Sequence, residues 1–292
     1  MKRPAEKLIE ALLQLSGWLT LGITFSVIGV LLVNAWGFFS SIPLLDFLLG
    51  TRWTPFSEQQ AFGMWPLLLG TLLTALLAMA LALPLGLLIS IYLSEYANSS
   101  WRQVARPALD LLSAIPTVVY GFLALVFVTP ALQFFFPGIE RFNALSPGLV
   151  MGFMILPIIT SISEDAMRSV PANLREAAFA MGASRWQVAW RVVLPAAFNG
   201  VTAAVILAFS RALGETMIVS IAAGQQPSFT LNPTVAIQTA SSYIIQISLG
   251  DVSRSGTEYN TIFAVGIGLF VLTFALNNLS YWLRNRFKQI QA

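Results

Sequence analysis

The alternation of long apolar runs with short polar segments predicts six membrane-spanning helices. An apolar run of roughly 18 residues or more is long enough to cross about 30 Å of hydrocarbon. The runs that meet this length, each interpreted as one span, are 15–39, 67–93, 117–136, 145–162, 196–223 and 262–283. We therefore expect an all-α membrane protein in which residues 1–292 form a single transmembrane domain.

The segment 233–249 and the first apolar run, 15–39, are assigned by criteria other than length. Segment 233–249 is apolar in part but contains seven Ser, Thr and Gln residues, so we interpret it as a helix or re-entrant element outside the membrane core. The first run exceeds the 7–15 apolar residues typical of a cleaved signal peptide. It is therefore expected to be a signal anchor.

The distribution of basic residues predicts the orientation. Six spans place twelve Lys and Arg residues on one side, whereas only Arg52, Arg141 and Arg254 fall on the other. By the positive-inside rule the richer side is cytoplasmic, and both termini lie there. The net charge of +3 therefore reflects topology, and no nucleic-acid partner is needed to explain it.

Composition excludes several classes of function. Hydrophobic residues make up 57% of the chain, charged residues only 10%, and the mean hydropathy is +0.75. Soluble domains carry about 25% charged residues, so the composition argues against a soluble enzyme, and it excludes a disordered chain. The chain has no Cys and no His, which removes thiolate nucleophiles, Ser-His-Asp chemistry and the usual zinc ligands. We predict neither catalytic residues nor a metal site. Glu164 and Asp165, which follow the fourth span, are interpreted as a solvated helix end because no His or other metal ligand accompanies them.

The cytoplasmic loop 163–195 carries signals for two short helices. Two Asn/Ser-x-x-Glu/Gln pairs match the capping box that begins a helix, namely Asn173 with Glu176 and Ser184 with Gln187. Gly182 lies between them and suits the left-handed conformation that ends a helix, while Pro195 ends or redirects the second one. Trp186 and Trp190 are one turn apart. A sharp bend near Gly182 is expected.

The same loop resembles a known family signature. Glu176-Ala177-Ala178, three residues, Gly182, nine residues and Val192-Val193-Leu194-Pro195 follow the pattern E-A-A-x3-G-x9-I-x-L-P of binding-protein-dependent ABC importer permeases, with Val192 in place of Ile. The resemblance implies a type I ABC importer (MetI-like) permease fold. It also implies that the loop docks into an ATPase subunit dimer, with Glu176, Ala177, Ala178, Gly182, Leu194 and Pro195 as the coupling residues.

No phosphate-binding loop of the Walker A type is present. The chain's lysines are Lys2, Lys7 and Lys288, and none of them follows a Gly-rich segment. The chain is therefore expected to be a transport subunit without a cofactor or an enzymatic activity of its own. ATP and Mg would bind to the partner ATPase, as the resemblance implies.

Two charged residues lie deep inside the fifth predicted span. Arg211 and Glu215 each cost at least ~2.5–3.5 kcal/mol at the bilayer centre on insertion scales, and their i,i+4 spacing allows them to pair. Arg suits an oxyanion, and a carboxylate can accept a hydrogen bond from an oxyanion that keeps a proton, as phosphate does and sulfate does not. The pair, with Ser210 and Thr216, is our candidate substrate path or gate. A purely structural ion pair is the alternative.

This segment also resembles a narrower family. Residues 210–217, Ser-Arg-Ala-Leu-Gly-Glu-Thr-Met, are similar to the A-R-A-x-G-E-T segment of phosphate-specific ABC permeases. Further similar segments are 70–72, 84–86, 93–96 and 115–121, although Thr117 stands where Ser is common. The resemblance covers about 53–283, and Trp53-Thr54-Pro55 favours the PstC type over the PstA type. It implies phosphate as substrate, a sister permease of the PstA type, an extracytoplasmic phosphate-binding protein and a bacterial inner-membrane location.

Other functions stay open at this point. Permeases for sulfate, molybdate or phosphonate would share the architecture. A secondary transporter or channel could use Arg211 and Glu215 but does not need the ATPase-docking loop 163–195, which we call the coupling loop. An intramembrane enzyme would lack its usual catalytic side chains.

Overall fold

The computed structural model describes residues 4–250, 253 and 256–288, and these residues are mostly helical, with loops and one small hairpin between the helices. The helices are α1 (Pro4–Phe39), α2 (Leu44–Leu49), α3 (Trp65–Ile91), α4 (Ser99–Ala114), α5 (Thr117–Leu123), α6 (Thr129–Phe135), α7 (Leu145–Arg168), α8 (Ala172–Ala180), α9 (Arg185–Val188), α10 (Leu194–Ala196), α11 (Phe198–Leu213), α12 (Met217–Ala222), α13 (Ala240–Leu249) and α14 (Thr257–Lys288). The strands β1 (Trp53–Thr54) and β2 (Ala61–Phe62) pair antiparallel. Three π-helical turns, Tyr92–Tyr96, Ala124–Val128 and Ala189–Val193, continue α3, α5 and α9.

The predicted spans correspond to helices of sufficient length. Five described helical segments are long and apolar enough to cross a membrane: Ile9–Phe39, Trp65–Tyr96, Thr117–Phe135, Leu145–Arg168 and Thr257–Leu279. A sixth is formed if Arg185–Ala196 and Phe198–Leu213 are counted together, although they meet at an angle of 73°. We call the end of the bundle that is predicted to be cytoplasmic the inner end, and the opposite one the outer end.

Helix α1 lies at the periphery and exposes apolar side chains around its circumference. Trp18 and Trp36 are 73% and 78% exposed, and the helix packs along α14. The hydroxyls of Ser16, Thr20 and Thr24 donate to carbonyl oxygens one turn earlier in the same helix. A helix that is apolar on all sides and satisfies its own polar groups is suited to lipid.

The centre of the bundle is built from α3, α7 and α11, with α3 and α7 in close contact. Gly148 and Gly152 let the two helices approach: a Cβ on Gly148 would lie 2.7 Å from Leu77, and one on Gly152 would lie 2.9 Å from Leu81. Small residues four apart allow such packing of membrane helices. The sequence pattern Gly-x3-Gly is thus explained by the contact of α7 with α3.

Replacing Gly152 with Leu is expected to destabilise the protein. The added side chain meets both Leu81 and the carbonyl oxygen of Ala78, and overpacking of this kind costs about 1–3 kcal/mol. Gly22→Leu is the matched control, because no atom lies within 4 Å of a Cβ at Gly22 on α1. Thermal unfolding in detergent measures the difference, and equal midpoints for the two variants would contradict the packing argument.

The outer end has its own aromatic core, which the sequence did not predict. The hairpin of β1 and β2 places Trp53 in a fully buried position, edge-on to Tyr243 of α13 with ring centroids 5.0 Å apart. The Tyr243 hydroxyl lies 2.7 Å from Thr261 Oγ1, and burial raises the pKa of Tyr243 to about 12. These contacts fasten α13, the polar segment excluded from the spans, to α14 and the first outer loop.

The inner end of α7 differs from its prediction. The fourth span was expected to end at residue 162, with Glu164 and Asp165 forming a solvated helix end, but α7 continues to Arg168 and Glu164 is fully buried. Arg102 Nε lies 3.3 Å from Glu164 Oε1, and Arg168 lies 3.8 Å from it. Two arginines therefore compensate the buried charge, which lets the helix continue. Asp165 is exposed, as predicted, and pairs with Arg106.

Candidate functional site

The fifth predicted span is interrupted at residues 214–216, next to the candidate path residues. Helix α11 ends at Leu213 and α12 begins at Met217. The Glu215 carboxylate caps the second helix, since its Oε1 accepts hydrogen bonds from the N–H groups of Met217 (3.1 Å) and Ile218 (3.4 Å). The prediction of one continuous helix over 196–223 is wrong, because Gly214 weakens the helix and Glu215 supplies the cap that a new helix needs.

Arg211 and Glu215 pair across this break, as their spacing predicted. Arg211 Nη1 lies 3.4 Å from Glu215 Oε2. The two side chains differ in access: Glu215 is 3% exposed, whereas Arg211 is 47% exposed. Arg carries five N–H donors, so the open part of this guanidinium retains donors for another ligand. The arrangement can therefore present a fork of positive charge with a buried carboxylate behind it.

The other two candidate path residues lie beside the pair. Ser210 Oγ donates to Asn277 Oδ1 of α14 (2.7 Å), and Thr216 Oγ1 donates to the carbonyl oxygen of Gly214 within the break (3.1 Å). Ser241 of α13 donates to the carbonyl oxygen of Glu215 (2.8 Å). The four predicted residues are thus brought together, and Asn277 and Ser241 join them.

Asn277 and Ser241 were missed by the sequence analysis. Asn277 and Asn278 are consecutive amides inside an apolar run, which was a usable signal. Ser241 was noted only as one of the polar residues that excluded its segment from the spans. Asn277 and Arg211 are both exposed on the surface of the chain, and Ser210 lies between them. We call these three residues the polar patch.

The coupling loop has the predicted bent shape. Helix α8 ends at Ala180, Gly182 adopts a left-handed conformation with φ of +83°, and Ser184 with Gln187 forms the predicted capping box of α9. Trp186 and Trp190 contact each other with ring centroids 5.2 Å apart. The second helical segment turns into α11 at Ala197, two residues after Pro195.

One capping prediction in this loop is wrong. Asn173 and Glu176 do not begin α8: the helix starts at Ala172, with Pro171 in the position before it and no side-chain cap. Pro171 has φ −56° and ψ 139°, and this extended ψ places it just outside the helix. Proline with its fixed φ sets the helix start earlier than the polar pair would.

The predicted coupling residues divide into an exposed and an inward-facing set. Glu176, Ala177, Gly182 and Pro195 are exposed, whereas Ala178 and Leu194 pack against the buried inner cluster around Met167 and Val193. Phe179 and Met181 are also exposed, at 45% and 88%. The loop thus presents small and apolar side chains from a base that is anchored in the bundle. Residues 198–211 of α11, a rise of roughly 20 Å at about 1.5 Å per residue, separate this loop from Arg211.

Comparison with known proteins identifies relatives over most of the chain. Residues 82–289 match the family described as binding-protein-dependent transport system inner membrane component. A probable ABC transporter permease protein of Bacillus subtilis, YqgH, is 33% identical over 244 residues, covering 84% of this chain and 79% of that protein. The phosphate transport system permease protein PstC of Pasteurella multocida is 30% identical over 286 residues, covering 90% and 87%.

Solved structures support the fold independently. A chain from the crystal structure of a bacterial alginate ABC transporter superposes with a TM-score of 0.65 at 17% identity, and the match covers 98% of each chain. A chain of the MetNI methionine ABC transporter in an inward-facing conformation superposes with a TM-score of 0.56 at 18% identity, covering 77% of this chain and 94% of that one. The expected MetI-like permease fold is thereby confirmed.

Proposed function

The chain belongs to the family of binding-protein-dependent transport system inner membrane components, and from this premise we propose that it is a membrane subunit of an ATP-driven phosphate importer. The main observation that supports phosphate as the substrate is the pairing of Arg211 with a buried Glu215 at a broken helix. In membrane transporters, discontinuous helices commonly form substrate sites. The PstC proteins that match at about 30% identity support the same substrate.

The chemistry of the pair favours phosphate over a fully deprotonated oxyanion. The half-exposed guanidinium of Arg211 can donate to two oxygens of a tetrahedral anion. Glu215 Oε2, which lies 3.4 Å from Arg211 Nη1, can accept a hydrogen bond from the proton that phosphate keeps near neutral pH. Sulfate offers that oxygen no proton, so it would meet a like charge. An anion that competes for Arg211 would also release Glu215, so the pair can act as a gate.

The polar patch supports a second permease subunit. Arg211, Ser210 and Asn277 lie on the surface of this chain, and such groups in contact with hydrocarbon are costly. A sister subunit facing the patch would cover it and leave a polar path between the two. We propose a heterodimer with a permease of the PstA type, located in the bacterial inner membrane with both termini cytoplasmic.

The coupling loop supports an ATPase partner. Its exposed Ala177 and Gly182 allow another protein to approach closely, and Phe179 and Met181 offer apolar area beside them. ATP and Mg would bind to that subunit dimer, which would hydrolyse the nucleotide. An extracytoplasmic binding protein would deliver phosphate to the outer end of the bundle.

The test is ATP hydrolysis by the purified complex in lipid vesicles, with phosphate-loaded or sulfate-loaded binding protein outside. Stimulation by the phosphate form alone is the expected result. Stimulation by the sulfate form alone would retain the architecture and overturn the substrate. If no ATPase co-purifies with the chain, the importer assignment is wrong, and a transporter or channel that needs no ATPase takes its place.

A further inference from the structure

The coupling helix α8 is attached to the inner end of α3 by one ion pair. Arg175 Nη2 lies 2.9 Å from Glu95 Oε1, and Arg175 Nε lies 3.2 Å from Glu95 Oε2. Both side chains are largely buried, at 20% and 10% exposure. A two-point contact of this kind fixes the relative orientation of the two groups as well as their distance. Glu95 belongs to segment 93–96, which the sequence analysis singled out but to which no role was assigned.

The same guanidinium also binds the end of α7. Arg175 Nη1 donates to the carbonyl oxygen of Val170 (2.6 Å), and Nη2 donates to that of Met167 (2.8 Å). Arg175 thus makes four hydrogen bonds to two other segments of the bundle. Lys cannot reproduce this set, because its ammonium group lacks the planar fork.

The inner end of α3 is itself an unusual element that is held from a second side. It is a π-helical turn, Tyr92–Tyr96, and such turns occur frequently at functional sites. Arg102 of α4 donates to the carbonyl oxygen of Leu93 from Nε (2.9 Å) and Nη2 (2.6 Å), and it lies 3.3 Å from the buried Glu164. The turn is therefore clamped between α4 and α8.

The outer part of α3 is connected to the candidate path. Thr71 Oγ1 accepts a hydrogen bond from the N–H of Ala240 at the start of α13 (3.0 Å), and the next residue, Ser241, donates to the carbonyl oxygen of Glu215. A Cβ on Gly70 would lie 2.3 Å from the carbonyl oxygen of Gln238, so α3 and this segment are in close contact. From Thr71 to Glu95 the helical rise is roughly 36 Å.

We propose that the Glu95–Arg175 pair is the positioning link through which movement of the coupling helix α8 reaches α3 and, by way of α13, the break at residues 214–216. This rests on the proposed function, in which an ATPase moves α8. The pair is suited to this role because it is largely buried and joined by two hydrogen bonds, whereas an exposed pair with a single hydrogen bond would break or reorient when α8 moves. Its role is to transmit movement, and neither residue touches the substrate.

Nucleotide-dependent labelling of the break tests the link. Because the chain has no Cys, Gly214→Cys introduces a single thiol, and a Cβ fits at Gly214, where the nearest atom is 3.7 Å away. In the full complex, the rate at which a water-soluble maleimide labels this chain is compared with and without ATP and vanadate. The background is then varied among unmutated, Glu95→Gln, Arg175→Lys and Asp165→Asn.

Asp165→Asn is the matched control. The Arg106–Asp165 pair also lies at the inner end with N–O distances of 2.7–2.8 Å, but it joins α4 to α7 and does not involve α8. We expect Glu95→Gln to reduce the nucleotide-dependent change in labelling by about fivefold or more, the lower range of coupling between sites, while Asp165→Asn leaves it intact. Arg175→Lys should reproduce the loss in part and guards against a folding defect specific to Glu95→Gln.

The same preparations separate this inference from the proposed function. The ratio of phosphate transported to ATP hydrolysed should fall in Glu95→Gln while basal ATP hydrolysis persists, which a purely structural role would not produce. If the nucleotide-dependent change in labelling is the same in Glu95→Gln, Arg175→Lys and the control, the link is overturned and the importer assignment stays in place. Labelling that responds as expected in a complex that does not transport phosphate would support the link and overturn the substrate.

Discussion

Replacing Arg211 with Gln is expected to reduce ATP-driven phosphate uptake by about tenfold or more, because the phosphate ligand loses a charged donor and a hydrogen bond to a charged group contributes about 1.5–3 kcal/mol. Glu215 is 3% exposed and keeps only the N–H groups of Met217 and Ile218 once the guanidinium is gone. The phosphate ligand loses its fork of donors in the same step. Uptake of radiolabelled phosphate into vesicles containing the complex measures the effect.

Arg141→Gln provides the matched control for this variant. Arg141 is an exposed arginine in the segment before α7, outside the polar patch, and its loss should leave uptake unchanged. Glu215→Gln is the companion change: the amide still accepts hydrogen bonds from α12, but the carboxylate that distinguishes phosphate from sulfate is lost, so selectivity should shift. If Arg211→Gln transports as well as the control, the pair is structural and the path lies elsewhere.

Replacing Ala177 with Trp is expected to detach the ATPase while the membrane domain stays folded. Ala177 is exposed on α8 and is not part of the packed interior of the chain. At an interface with a partner it overfills the contact, and a cost of about 1–3 kcal/mol weakens binding roughly 5- to 150-fold. The measurement is the amount of ATPase that co-purifies with the tagged chain.

Ala172→Trp is the control in the same helix. Ala172 is also exposed, but it lies five positions before Ala177, which places it about 140° around the helix. Co-purification should be retained in this variant. Equal ATPase recovery from the two variants would contradict the assignment of the Ala177 face as the docking face. Loss of both variant chains from the membrane would indicate a defect in insertion.

The features predicted correctly from the sequence are those determined by local pattern. The apolar runs gave the spans to within a few residues, except where a span is broken or extended. Gly182 has the left-handed conformation, and Ser184 caps α9, because both depend only on neighbouring residues. The pairing of Arg211 with Glu215 followed from their spacing.

The features that were missed depend on residues far away in the chain. Glu164 was predicted to be solvated because its neutralising partner Arg102 lies in α4, 62 positions earlier in the sequence. The helix break at residues 214–216 depends on Glu215 capping α12 and on Ser241 binding its carbonyl oxygen. The hairpin around Trp53 is too short to show a strand pattern and is held by Tyr243.

The two exposed tryptophans of α1 set a length scale for the membrane around this subunit. Trp18 and Trp36 are 18 residues apart on one continuous helix, which corresponds to roughly 27 Å at about 1.5 Å per residue. Tryptophan rings favour the two headgroup regions, so this spacing equals the hydrocarbon thickness that fits the helix upright. In a thicker bilayer, such as a sterol-rich membrane of about 32–33 Å, the lipid next to α1 must thin.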